Sequence, residues 1–220
     1  MKAPRAIVFD LDGTIADTRL NIAAACNHAL AALGRPAKSV ATISTYVGDG
    51  GHMLIARALE LPRDDPRTED AFAHFNVYYA AHAGDLSTCM PGALEALDAC
   101  DSLSVLLALA TNKPRTATLP LLDALGIERR FRSIVAGGDG PLKPDPAAIL
   151  AALAPLGVAA EDAWVVGDGP QDIGAGNAAG AWTVAVLGGF ADESALRGSG
   201  PDHVLGSLHE LPALLTEARR

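Results

Sequence analysis

The first strong signal along the chain is a short unbroken apolar run, Ala6-Ile7-Val8-Phe9, which stops at Asp10-Leu11-Asp12-Gly13-Thr14. Apolarity without alternation fits a parallel strand buried on both faces, here followed at once by a turn carrying two acids. From Asp17 to about Gly34 the spacing becomes helical, with Leu20, Ala23, Ala24, Asn27, Leu30 and Leu33 three or four residues apart. Asp17 or Thr18 is placed to cap this helix, and Gly34 with Pro36 to end it. Two further helical stretches, about 51–61 and 66–83, are separated by Pro62, and no strand pattern falls between residues 15 and 85. A wholly helical insertion directly after a first buried strand has the organisation of a lid.

After Met90-Pro91-Gly92 the rhythm changes. Short apolar runs at 103–110, 133–136, 163–166 and 182–186 read as buried strands, separated by helical segments near 114–125, 146–156 and 171–179. His203-Val204-Leu205 adds a last strand before a helix over 207–218. This alternation predicts an α/β fold with a doubly wound parallel sheet and right-handed crossovers. The expected organisation is a core of residues 1–14 and 86–220 with a helical cap, 15–85, inserted into it.

Composition narrows the function. Half of the 220 residues are hydrophobic, enough for a well-packed core. A formal net charge of -9 argues against binding nucleic acid or an anionic membrane, which demand exposed Lys and Arg. It leaves room for a small phosphorylated substrate, provided the site supplies its own local positive charge. Cys26, Cys89 and Cys100 have no paired spacing and read as ordinary thiols of a reducing compartment. The stretch before Asp10 is too short for a secretory signal, and the run at 103–110 is too short to span a bilayer. A cytoplasmic enzyme acting on a small metabolite, as monomer or homodimer, is the expectation.

In open α/β sheets, ligands bind beyond the carboxyl ends of the strands. Asp10 and Asp12 end the first predicted strand, and Thr111-Asn112-Lys113 end the next. Lys143 follows the strand at 133–136 after a Gly-rich loop, and Gly167-Asp168 end the strand at 163–166, with Asp172 four residues on. Gly138-Asp139-Gly140-Pro141 repeats the tetrad from Gly167 to Pro170, but only Asp168 follows a clean apolar strand and has an acid four residues later. Gly174-Ala175-Gly176 has the wrong spacing for a dinucleotide loop and reads as close helix packing. In the lid, His52 and Arg57 are candidates for contacting the distal part of a substrate.

Taken in order, Asp10-Leu11-Asp12-Gly13-Thr14, Thr111-Asn112, Lys143-Pro144 and Gly167-Asp168 with Asp172 resemble the four motifs of the haloacid dehalogenase-like phosphatases. The likeness runs through the whole chain, and the helical insertion falls where that superfamily carries its C1 cap on a Rossmann-like core. Val47-Gly48-Asp49-Gly50, Met90-Pro91-Gly92 and Lys143-Pro144-Asp145-Pro146 resemble the phosphoglycolate phosphatase branch. The resemblance implies a Mg²⁺-dependent phosphatase in which Asp10 attacks phosphorus to give an aspartyl-phosphate. Asp12 would act as acid and base, with Asp10, Asp168, Asp172 and the main-chain carbonyl of Asp12 around the metal. Thr111, Asn112 and Lys143 would hold the phosphate. Position 169 is Gly where many relatives have Ser or Thr, a change that removes no ligand. Phosphosugar mutases of the same fold keep both motif-one acids and stand as an alternative; so does a non-catalytic phosphate-binding protein.

Overall fold

The computed structural model describes residues 2–220. Its centre is a six-stranded sheet made by β1 (Ala6–Phe9), β4 (Leu106–Pro114), β5 (Ser133–Gly137), β6 (Ala163–Gly167), β7 (Trp182–Val186) and β8 (His203–Leu205). The spatial order is β5-β4-β1-β6-β7-β8, and every pairing is parallel. This is the expected doubly wound α/β sheet. β1 sits between β4 and β6, so the chain leaves it toward one half of the sheet and returns to the other. The crossovers diverge above its carboxyl end and open a cleft there.

The unbroken apolarity of β1 has its reason in this position. All four of its residues are fully buried, Ile7 and Phe9 in one apolar cluster and Ala6 and Val8 in the other. Alternate side chains therefore enter the layers on opposite faces of the sheet. On the first face lie α5 (Ala93–Ser102) and α10 (Leu211–Ala218), through Leu97, Cys100 and Leu211. On the second lie α7 (Ala147–Leu153) and α8 (Pro170–Ala179), through Ile149 and Ala175. The fold is completed by α6 (Arg115–Ala124) and the short α9 (Glu193–Gly198).

Between β1 and α5 the chain forms α1 (Arg19–Ala32), α2 (Val40–Ser44), α3 (Gly51–Leu59) and α4 (Pro66–Ala81). These helices lie between β2 (Ala16–Asp17) and β3 (Thr88–Cys89), which pair antiparallel and bring the two connecting segments side by side. The sequence pattern does not predict this pair, because two-residue strands are too short to show a period. It also lacks α2 and α5. The strand expected at 103–110 begins later and continues through Pro114, so Thr111 and Asn112 lie within a strand and do not cap the helix after it. Thr18 stands at the N-cap of α1 but gives that helix no side-chain hydrogen bond, whereas Asp17 accepts from the backbone N–H of Arg19.

The glycines of α8 serve packing. A Cβ at Gly176 would lie 2.5 Å from Thr183 Cγ2 and 3.0 Å from Val165 Cβ, so only a bare backbone lets α8 rest on β6 and β7. We expect Gly176→Ala to destabilise the fold by about 1–3 kcal/mol, the usual range for overpacking a close contact. Denaturant unfolding checks this, and an unchanged midpoint would show that the contact yields freely.

Candidate active site

The turn after β1 is wound around one carbonyl. The backbone N–H groups of Thr14, Ile15 and Ala16 all donate to Leu11 O, at 3.3, 3.0 and 2.8 Å. Gly13, at φ +90°, permits the curl, and a Cβ there would collide with the Asp168 carboxylate. The turn places Asp10 and Asp12 on the rim of the sheet, facing different partners.

Asp10 faces Lys143. The Lys143 ammonium lies 2.6 Å from Asp10 Oδ1, 2.7 Å from Asp172 Oδ1 and 2.6 Å from the Ala110 carbonyl. Its backbone is clamped from β4: Lys143 N donates to Asn112 Oδ1 at 2.8 Å, and Asn112 Nδ2 donates to Lys143 O at 2.9 Å. Burial alone would pull this lysine's pKa down, but the charges of Asp10 and Asp172 outweigh it and the pKa is raised. Asn112 Nδ2 also donates to Gly48 O at 2.9 Å. The Asn112 amide, expected on phosphate, is thus spent on two loops, leaving only its backbone N–H for that task.

Asp168 is held at both oxygens, by Thr14 Oγ1 at 2.7 Å and by the backbone N–H of Phe190 at 2.7 Å. Asp172, in the first turn of α8, accepts from Gly169 N at 2.9 Å and stabilises that helix end. Asp10, Asp168 and Asp172 are drawn together so that one oxygen of each lies within 4.8 Å of the others. Burial pushes the Asp10 carboxyl well above its ordinary range; Lys143 opposes this, and the charges of Asp172 and Asp168 add to it. Burial and the Asp172 charge raise Asp168 to about 7. One ammonium pairs with two of these three buried carboxylates, and Asp168 has none among the described residues. The surplus negative charge and the all-oxygen donor set fit a hard divalent cation. By contrast, Asp139 bonds to Arg115 and the backbone N–H of Ala136, and takes no part in this cluster.

The side chain of Asp12 lies outside that cluster, which leaves any metal contact to its main-chain carbonyl. Oδ1 accepts from Thr18 Oγ1 at 2.7 Å and from Lys113 Nζ at 3.0 Å. The Lys113 ammonium also meets the Tyr79 hydroxyl and lies 4.0 Å from that ring's centroid. Burial lowers the Lys113 pKa, and the Asp12 charge opposes the shift.

These groups line a cavity of about 370 Å³ between the sheet rim and the helical insertion. Thr111 opens onto it from β4, and Val47, Gly48, Asp49 and Arg57 reach it from the insertion. Arg57 bonds to the Tyr46 carbonyl at 3.0 Å and pairs with Asp49, whose other oxygen accepts from Gln171 Nε2 at 2.8 Å. His52 points elsewhere: it stacks on Phe72, centroids 4.0 Å apart, and its Nε2 is 2.8 Å from Glu69.

A family model described as haloacid dehalogenase-like hydrolase matches residues 7–186. The chain belongs to this family. A phosphoglycolate phosphatase of Cupriavidus necator is 38% identical over 97% of this chain and 94% of its own length. Phosphoglycolate phosphatase 1 of Pseudomonas aeruginosa is 36% identical, covering 96% of this chain and 79% of that protein. Among solved structures, one described as a predicted phosphoglycolate phosphatase from Haemophilus somnus superposes with a TM-score of 0.88 at 27% identity. It covers 97% of this chain and 99% of its own. CbbY from Rhodobacter sphaeroides, in complex with phosphate, gives 0.80 at 26% identity over 94% and 96% of the two chains.

Within this haloacid dehalogenase-like hydrolase, Tyr79 is a site residue that the sequence pattern does not single out, and Lys113 is one that it places at a strand end without a role. Lys113 adjoins Thr111-Asn112, but nothing in a linear sequence marks it as the partner of an acid 101 positions earlier. Among the described residues, no helix is long and apolar enough to cross a membrane.

The Asp168 shift has a sign that stability measurements can read. Its pKa in the fold, about 7, exceeds the ordinary carboxylate value of about 4, so between those pH values the folded chain binds more protons than the unfolded one. Stability of the hydrolase in chelator is therefore expected to fall as pH rises from about 4 to 7, with Asp10 acting in the same direction. Asp168→Asn should make that decline shallower in denaturant titrations. An equal slope in the variant would contradict the assignment.

Proposed function

We propose that this hydrolase is a Mg²⁺-dependent phosphatase of small phosphate monoesters, with 2-phosphoglycolate the leading substrate, acting through an aspartyl-phosphate on Asp10. One observation carries the reading: Asp10 stands among buried carboxylates and a single ammonium, while a second acid, Asp12, is held apart from them at the same cavity. The names of the relatives support the substrate. Residues 15–85 would act as the cap that closes over the site, excluding water and selecting the leaving group.

The surroundings of these residues support the parts assigned to them. Asp10, Asp168 and Asp172, with the Asp12 carbonyl, would hold Mg²⁺, which supplies positive charge to offset repulsion between a phosphate dianion and a carboxylate. Lys143, on Asp10 Oδ1, offsets the same repulsion from the protein side and is placed to pair with phosphoryl oxygens. Asp10 forms a bond to phosphorus as the ester P–O bond breaks. Asp12 gives a proton to the departing alkoxide, then takes one from the water that attacks the aspartyl-phosphate and releases inorganic phosphate. Thr111 and the nearby backbone N–H groups receive the equatorial oxygens.

A phosphorylated-metabolite panel with Mg²⁺ tests this. Asp10→Asn should fold normally and lose turnover on every substrate; a folded variant with a near-normal rate would remove Asp10 from the chemistry. The panel also separates a hydrolase from a mutase, which would show slow net hydrolysis and need a bisphosphate activator.

Arg57 is the one cation that residues 15–85 contribute to the cavity wall. It is therefore assigned to the carboxylate of phosphoglycolate. A charge-assisted hydrogen bond contributes about 1.5–3 kcal/mol, so Arg57→Met should raise KM for phosphoglycolate roughly 10- to 100-fold. KM for p-nitrophenyl phosphate, which has no carboxylate, should change little. Equal changes for both substrates would count against the carboxylate role.

A further inference from the structure

We infer that Lys113 is a positioning residue for Asp12, and that Tyr79 gives the helical insertion a hand in holding it. The inference rests on the acid–base role given to Asp12 above. It starts from an expensive feature: the Lys113 side chain is 1% exposed, and a buried ammonium is costly unless well paired. Its ion-pair partner among the described residues is Asp12, 3.0 Å away at Oδ1 and 3.4 Å at Oδ2. Thr18 Oγ1 donates to the same Oδ1 at 2.7 Å. Both donors hold Oδ1, and Oδ2, reached by Lys113 only at 3.4 Å, is the freer oxygen of a carboxylate that lines the cavity, the arrangement a proton carrier needs if its reacting atom is to keep one position.

The anchors come from elements that also frame the insertion. Thr18 is the N-cap residue of α1, the first helix after the core, and Tyr79 lies in the last turn of α4, the last helix before the chain returns. Tyr79 is buried and contributes both its hydroxyl and its ring to the Lys113 ammonium. Entry and exit helices therefore meet on the Asp12 assembly, and Asp12 is fully oriented only when both are seated. Lys113 and Tyr79 make no hydrogen bond or ion pair to the Asp10, Asp168 and Asp172 carboxylates, and Asp10 acts on Lys113 only through longer-range charge, so their effect should fall mainly on steps that move a proton through Asp12.

The leaving group provides the test. Glycolate departs as a strongly basic alkoxide and needs a proton; p-nitrophenolate departs without one. Single-turnover transfer rates for 2-phosphoglycolate and p-nitrophenyl phosphate are to be measured for wild type, Asp12→Asn, Lys113→Met and Tyr79→Phe, with unfolding midpoints for each. General acid catalysis contributes roughly 100- to 10,000-fold, so Asp12→Asn should slow the alkyl ester by at least about 100-fold and the aryl ester far less. Lys113→Met should reproduce that selectivity at a loss of about 30- to 100-fold, and Tyr79→Phe at about 5- to 10-fold, as expected for partial loss of positioning. Equal slowing of both esters, or none, in a folded Lys113→Met would reduce Lys113 to a structural ion pair and overturn the inference while leaving Asp12 in place. Should Asp12→Asn itself show no selectivity, the acid role fails and this inference fails with it. If Lys113→Met does not fold, Tyr79→Phe decides alone, since it removes one hydroxyl and keeps the ring; an unchanged ratio of the two rates there refutes the coupling.

Discussion

The ammonium of Lys143 stands between two buried carboxylates, with a third close by, and most of the rim is arranged to keep it there. Removing one partner of such a pair typically costs about 3–5 kcal/mol, because it strands a charge away from water. The surrounding structure is correspondingly explicit. Asn112 fixes the backbone of Lys143 with two hydrogen bonds, the Ala110 carbonyl takes part of the ammonium, and Gly169 holds Asp172 by its N–H. The cluster keeps more negative than positive charge, which is a state ready for a cation or a proton and costly without either.

The sheet topology is what allows the cluster to exist. Parallel strands expose their carboxyl ends on one edge, and the position of β1 between β4 and β6 sets Asp10 beside Asp168 and Lys143. Asp10 and Asp168 each stand directly past a buried strand and inherit the rigidity of the core, whereas Lys143, six residues past β5, is held to β4 through Asn112. The insertion adds no carboxylate to the Asp10, Asp168 and Asp172 cluster. It contributes a wall, one cation and the loop around Gly48 and Asp49. That loop is tied to the core by Asn112 Nδ2 and Gln171 Nε2, each from a residue adjacent in sequence to one at the rim.

Much of this was legible in the sequence where burial leaves a mark. The unbroken run Ala6 to Phe9 announces a central parallel strand, and the spacing of Asp168 and Asp172 matches one turn at a helix start. Short or irregular pieces leave no such mark: β2 and β3 have two residues each and no period, and β4 runs on through polar residues because Thr111, Asn112 and Lys113 are buried by hydrogen bonds and an ion pair. Side chains of the helical insertion are equally opaque. His52 and Arg57 are five positions apart on α3, about 140° around the helix, so only one can face the cavity, and no local pattern says which. The structure turns Arg57 to it and stacks His52 on Phe72.

Asp10 and Asp12 are chemically identical and two residues apart, yet the proposed mechanism gives them different tasks. Their environments supply the difference. Asp10 lies with two other carboxylates in a buried site; Asp12 is kept from them, with a hydroxyl and a lysine of its own. The two lysines diverge as well: both are buried, but Lys143 faces two carboxylates and its pKa rises, whereas Lys113 faces one and burial lowers its pKa. A carboxylate crowded by like charges is best employed where positive charge can be brought to it, and one held singly is best employed moving protons. The division of roles proposed for the two aspartates thus rests on how many charges each is made to share, in a chain whose formal net charge is -9.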